Sequence, residues 1–268
     1  QNPDLWSPFL KYWSYRELAL DRQIETCLVK CPDFLDMKWK IDGEEVNFNR
    51  GRLISLKREL DMKSGTFCAK AHWVSDKGKE IRLIQKRFAS MAKTDRVFVS
   101  YELELLNCSA AVEITGGIST NTRNTTISGI YRNTCKDTGS GFQRLYDVVE
   151  KKSLSENSVE VTVKGSTDKM EAAFATILEI QACGDKVYET ITNDNGIFVR
   201  SQINVKQNEA LHIERAAIFS LSLADEKPTE KVETSIYSLK KVDFLTESIE
   251  NAACWRKLWN DSDICVDG

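Results

Sequence analysis

His212 and Glu214 stand two residues apart in the stretch EALHIERAA. In an extended strand that spacing points both side chains the same way. An imidazole beside a carboxylate can move protons at a sugar's anomeric centre, one group as acid and the other as base. The plainer reading, which we favour, is a partly exposed histidine on a polar strand face. Glu102 and Glu104 share a face in ELEL. Paired carboxylates can flank a glycosidic bond, but alternate charged positions on a strand ordinarily form its solvated side. The chain has no nucleophile elbow, P-loop, dinucleotide fingerprint or HExxH. Its two histidines, His72 and His212, lie far apart, and of eight cysteines only Cys27 and Cys31 are close. Zinc needs clustered ligands, so none is expected. Scattered cysteines in a chain this long read as buried free thiols of a reducing compartment. No residue is assigned a catalytic, cofactor-binding or metal role.

The elements that must position these groups follow from composition and pattern. The chain has 268 residues, 41% hydrophobic content and a formal net charge of -3. That is ample for a large β-domain or two smaller ones. No basic stretch dominates, so nucleic acid is not expected as a partner. No apolar run is long enough to cross a bilayer, so a membrane is not expected either. The start, QNPDLWSPFLKYWSYREL, lacks a signal-peptide core. A cytoplasmic location is the expectation.

Period-2 alternation recurs. Val97, Val99, Tyr101, Leu103 and Leu105 alternate with Ser100, Glu102 and Glu104. Val159, Val161 and Val163 alternate with Glu160, Thr162 and Lys164; Ile197, Val199, Ile203 and Val205 with Arg200, Gln202 and Asn204. Phe67, Ala69, Ala71 and Trp73 alternate with Lys70 and His72. Each pattern is a strand with one buried face, as antiparallel sheets produce. Trp39 and Trp73 alternate with polar neighbours and are expected in the core. Turn chemistry separates the runs: Asp42-Gly43, Gly78, Gly184-Asp185 and Asn195-Gly196, the last expected as a type I′ pair. The sum is a large antiparallel sandwich, not a parallel α/β fold.

Two regions depart from this. Residues 119–142, rich in Thr, Asn, Ser and Gly, predict a long loop with one short strand near 127–131. Residues 238–261 predict a helix, with Phe244, Leu245, Ile249, Ala252, Ala253, Trp255, Leu258 and Trp259 as its apolar stripe and Ser238 or Asp243 as its cap. Trp6, Tyr12, Trp13 and Tyr15 fit no clean pattern. They would cover an adjoining surface or, less readily, stack on a sugar.

Four stretches carry a resemblance: CPDFLDMKWKIDGEEV at 31–46, SLKRELDMKSGTF at 55–67, QKRFASMAKTDRVFVSYELELLNCSAAVEITGGIS at 85–119 and ACWRKLWNDSDICVDG at 253–268. In this order they resemble the N-terminal domain of glycoside hydrolase family 65, which contains maltose, kojibiose and trehalose phosphorylases and acid trehalases. The middle, 120–235, is similar only in its β-pattern, and residues 1–30 lack the family's glycine-rich opening strand.

The resemblance implies an all-β fold: a large antiparallel super-sandwich, galactose mutarotase-like, with a C-terminal linker helix. The sandwich would take residues 1–237, and 238–268 would lead to an (α/α)6 catalytic barrel that is not in this sequence. That barrel holds the catalytic glutamate and the phosphate site in the family. The chain would then be the non-catalytic N-terminal domain of an inverting glycoside phosphorylase or a hydrolase acting on α-linked glucose disaccharides. Alone it would be inactive. It would pack on the barrel and shape the active-site entrance or a dimer interface. Its partners would be its own C-terminal catalytic domain, the parent enzyme's disaccharide substrate and a second subunit. No cofactor is implied, inorganic phosphate being a co-substrate if the parent is a phosphorylase. Trp255, Leu258 and Trp259 would contact the barrel, and the 119–142 loop would reach toward the active-site mouth. The competing reading is a stand-alone carbohydrate-binding sandwich or an aldose epimerase-like enzyme built on His212 and Glu214.

Overall fold

The computed structural model describes residues 11–18, 21–125, 142–166, 170–182, 186–239 and 241–262, with backbone only for 11–28, 125, 142 and 143. Two antiparallel sheets face each other. The larger runs, in spatial order, β12 (Tyr146–Ser155), β13 (Ser158–Gly165), β14 (Glu171–Gln181), β17 (Ala210–Leu221), β8 (Arg96–Leu105), β7 (Glu80–Ala89), β6 (Thr66–Val74) and β5 (Arg52–Asp61). The smaller runs β15 (Glu189–Asn193), β16 (Gly196–Val205), β9 (Ala110–Ser119), β3 (Asp33–Ile41) and β4 (Glu44–Glu45). Two further antiparallel pairs form, β1 (Lys11–Leu18) with β2 (Asp21–Leu28) and β10 (Asn124–Thr125) with β11 (Phe142–Gln143). This is the large antiparallel sandwich expected from the alternating patterns, and the super-sandwich that the family resemblance implied.

The inner faces form the main core. Val99, Leu103 and Leu105 of β8 and Val159 and Val161 of β13 point into it from the larger sheet and Ile114 of β9 from the smaller, all fully buried. Trp39 and Trp73 are buried too, Trp39 edge-on to Tyr101 with centroids 5.5 Å apart. Their place in the core follows from their alternation with polar neighbours. Cys31 is buried, and Cys31, Cys68, Cys108 and Cys254 are free thiols.

One inward position of β17 is an arginine. Arg215 is fully buried between Ile213 and Ala217. Its guanidinium donates to the carbonyls of Phe34, Asp36 and Gly117 and to Thr176 Oγ1, at 2.9–3.1 Å. The reason lies in β3, whose register against β9 slips between Asp33 and Asp36. A bulge leaves carbonyls without ladder partners, and a planar fork of donors satisfies several at once.

Turn chemistry is confirmed in part. Asp42 and Gly43, both at positive φ, turn β3 into β4. The β15–β16 turn instead uses Asp194 and Asn195, with Gly196 pairing back to Asn193. Gly196 is needed for close approach: a Cβ there would stand 2.1 Å from the Ile118 carbonyl. The expected type I′ pair at Asn195-Gly196 is therefore corrected. Of 119–142, residues 126–141, including the expected strand at 127–131, lie outside the described residues. Gly184-Asp185 lies outside them as well.

Two helices cover the outer face of the larger sheet. The alternation of strands gave no sign of the first, α1 (Pro228–Ser238). Pro228 opens it with φ already set for a helix, and Val232 and Ile236 recur one turn apart on its buried side. They rest on Ala173, Ala175 and Ala216, whose small side chains let the helix come close. The second helix, α2 (Phe244–Ser262), is the expected one. It begins six residues later than position 238, because α1 ends there.

Candidate functional site

Helix α2 and the sheet beneath it enclose a cleft of about 940 Å³. The residues that could do chemistry meet here, so the cleft is best built from its supports.

Asp243 caps α2: its carboxylate accepts from the Thr246 N–H at 3.0 Å and the Thr246 hydroxyl at 2.9 Å. Two further carboxylates rise from the sheet to the same end. Glu179 of β14 accepts from the Val242 N–H at 2.8 Å, and Glu214 of β17 from the Phe244 N–H at 3.2 Å. Negative groups at a helix N-terminus are favourable because its first N–H groups have no partners within the helix. Phe244 then packs edge-on to Phe88 at 5.2 Å. Over the first two turns, Lys93 reaches Glu247 at 2.6 Å and Glu250 at 3.3 Å. Buried Asn251 accepts from the Met91 N–H at 2.9 Å and donates to the Ser64 carbonyl at 2.6 Å. Further on, the Trp255 indole lies over Gly65, and Trp259 Nε1 donates to the Met62 carbonyl at 2.9 Å. The β5–β6 turn thus seats both tryptophans.

The half-buried side of α2 carries the indoles. Leu245 and Ile249, one turn apart on another flank, are 69% and 62% exposed and line the cleft with Leu60, at 63%. Leu258, toward the far end of the helix, is 44% exposed. Trp255 and Trp259, expected to contact a barrel, are half buried within this chain, seated on the β5–β6 turn.

The cleft floor holds His212 and Glu214 of β17, Glu102 of β8, Lys86 of β7 and Lys70 of β6. His212 and Glu214 do point the same way, but Glu214 is engaged with the helix. Burial raises its carboxyl above the ordinary range, and the Phe244 N–H draws it partly back. His212 instead faces its cross-strand neighbour Glu102, with Nδ1 and Oε2 3.8 Å apart and both side chains about half exposed. That is a loose ion pair when the imidazole is protonated, beyond hydrogen-bond length. Glu104, on the same face, pairs with Arg82 at 2.6 Å. Among the described residues no group of three or more His, Cys, Asp or Glu could hold a metal ion, and no helix is long and apolar enough to cross a membrane. Of the N-terminal aromatics, Trp6 lies outside the described residues, and Tyr12, Trp13 and Tyr15 fall on β1, described by backbone alone.

A second opening, about 830 Å³, lies between the sheets where β5, β6 and β7 face β3. Its polar lining is tied into the fold: Asp33 accepts from the Leu35 N–H, Gln85 donates to the Tyr101 hydroxyl and Arg87 lies 4.7 Å over the Phe67 ring.

The sandwich and its covering helices define a class. The model of glycosyl hydrolase family 65, N-terminal domain, matches residues 21–258, and the chain belongs to that family. Among curated relatives, the kojibiose phosphorylase of Halothermothrix orenii is 26% identical over 90% of this chain and 30% of its own length. The alpha,alpha-trehalose phosphorylase of Thermoanaerobacter brockii is 20% identical over 92% of this chain and 31% of its own. A solved structure, a putative kojibiose phosphorylase from the human microbiome, superposes with a TM-score of 0.76 at 15% identity, covering 96% of this chain and 32% of that one. The chain spans about a third of the length of the relatives it matches.

Proposed function

We propose that the chain is the non-catalytic N-terminal domain of an inverting glycoside phosphorylase or a hydrolase acting on α-linked glucose disaccharides, packed on a C-terminal catalytic barrel. The observation that carries this is the pair of exposed aliphatic residues on one flank of α2, Leu245 and Ile249, which line the cleft with exposed Leu60 of β5. Exposed apolar surface of this kind marks an interaction site, and it lies on the helix that the family resemblance places against the barrel; Trp255, Leu258 and Trp259 at the helix end would add to that contact. The names of the phosphorylase relatives support the substrate class. In a phosphorylase the barrel's carboxylic acid would protonate the leaving oxygen while phosphate attacks from the opposite face. This domain would shape the entrance to that site or join two subunits, in the cytoplasm. The 119–142 loop would belong to that entrance.

The test is direct. The 268-residue chain is incubated with maltose, kojibiose and trehalose, with and without phosphate. No turnover is expected, whereas the same chain joined to a family barrel should release glucose 1-phosphate or glucose. Turnover by the chain alone that persists through further purification would overturn the proposal.

A further inference from the structure

A second feature of the outer face owes nothing to the cleft. Glu160 belongs to β13, whose inward Val159, Val161 and Val163 place it on the outer side, under the edge of α1. It is 1% exposed. Its Oε2 has no hydrogen-bond partner, and its Oε1 is met only by the Thr162 hydroxyl at 3.4 Å. That hydroxyl is 3.2 Å from the hydroxyl of Thr229 on α1.

A buried carboxylate would ordinarily have a cation beside it. The nearest is Lys152 of β12, directly across the ladder. Lys152, however, pairs with Glu233 of α1. Glu150, also on β12, adds a third negative group. The partner from β14 is Ala175, which carries no charge. The remaining charged residues of α1, Glu230 and Lys231, are exposed. One lysine therefore serves three carboxylates, and it is tied to the helix instead of to the buried one.

We propose that Glu160 is a proton-controlled latch for α1: protonated, it lies dry beneath the docked helix, and ionised, it draws water into the seat and loosens the helix as the pH rises. The electrostatics agree with the geometry. Burial first, then the Glu233 charge, pushes the Glu160 carboxyl from 4.5 up to about 7. A carboxyl that is harder to ionise when docked holds its proton more tightly in the docked state. The stability it lends is full at low pH and is lost as pH climbs from about 4.5 through about 7. With those two values, the constant for opening α1 should be about tenfold larger at pH 8 than at pH 6. The small-residue seat makes the response local, since Val232 and Ile236 lift from alanines without disturbing the inner core.

Hydrogen exchange of the α1 amides, corrected for the intrinsic pH dependence of exchange, reads this constant directly. In the 268-residue chain the opening of α1 should rise about tenfold between pH 6 and pH 8, while β8 and β17 stay level. In Glu160→Gln, which mimics the protonated form, the rise should vanish. In Glu233→Gln, Lys152 is released to pair with Glu160, and the rise should shift to lower pH. A pH-independent α1 in the unaltered chain, or the same rise in Glu160→Gln, would overturn the latch. The side-chain carbon shift of Glu160 in the unaltered chain gives a reading free of any variant. A midpoint near 7 is expected, and one below 5 would refute the proposal.

Discussion

Replacing Gly65 by alanine should unseat the far end of α2, and the cost can be worked from the structure. Gly65 has φ +64°. Alanine at that left-handed angle costs about 1 kcal/mol. Its Cβ would stand 2.2 Å from Trp255 Nε1 and 2.6 Å from Cε2, so the indole has to leave. Trp255 is half buried, and roughly 100 Å² of indole surface at about 25 cal/mol per Å² is worth about 2.5 kcal/mol. The indole N–H is buried without an acceptor, which offsets that by about 1 kcal/mol. The seat is thus worth roughly 1.5 kcal/mol, and because the helix end can peel away, the clash cannot cost more than the seat. Gly65→Ala should lose about 2.5 kcal/mol, Trp255→Ala about 1.5, and the double variant about 2.5 instead of the additive sum of about 4. Urea unfolding followed by far-ultraviolet circular dichroism measures all three without relying on tryptophan emission. Additivity within about 0.5 kcal/mol would refute the argument, because the two positions would then not act through one contact.

Two further outcomes follow from the same geometry. Arg215→Met removes the donor to three backbone carbonyls and to the Thr176 hydroxyl, which keeps its bond to the Ala216 carbonyl, and should cost about 3–5 kcal/mol in urea unfolding; a loss under about 1 kcal/mol would show that β3 closes its bulge without the guanidinium. Leu245→Ser with Ile249→Ser alters side chains 69% and 62% exposed, so the chain alone should lose less than about 1 kcal/mol, while a barrel-bearing protein should lose about 1–2 kcal/mol of docking energy per residue, read as a lower Tm. A loss above about 2 kcal/mol in the chain alone would mean the helix already buries them.

The strands were legible because each carries one apolar face, and a period of two needs no tertiary knowledge to be seen. Val159, Val161 and Val163 announce β13 by themselves. Helix α1 was not legible for a related reason. Only Val232 and Ile236 mark its inner side, two residues among charged and hydroxyl neighbours, and the small alanines that make two sufficient lie some 60 positions away in β14. Helix α2 was legible in its stripe but not in its orientation. The stripe goes round the helix, and which flank is open depends on where the β5–β6 turn offers Gly65 and the Met62 carbonyl. Arg215 left a usable signal: in LHIERAA it occupies the same alternating positions as Leu211, Ile213 and Ala217, so its inward place could have been read. Its partners, the carbonyls of a bulge in β3, could not.

The carboxylates on the outer face that an acid–base reading would want are largely committed to holding helices. Glu179 and Glu214 secure the start of α2, Glu247 its first turn through Lys93, and Glu233 ties α1 to Lys152. The two helices are nevertheless held in different ways. Contacts to α2 are largely polar and spread along its length, from Asp243 to Trp259, so lifting it requires several separate interactions to fail together. Helix α1 buries Pro228, Val232, Ser235 and Ile236 on a seat of alanines with one unpaired buried carboxyl at its edge, so a single proton changes its hold. A segment tied at both ends keeps its orientation for whatever packs against its open flank, and the exposed Leu245 and Ile249 lie on such a segment, which lowers the ordering cost of docking.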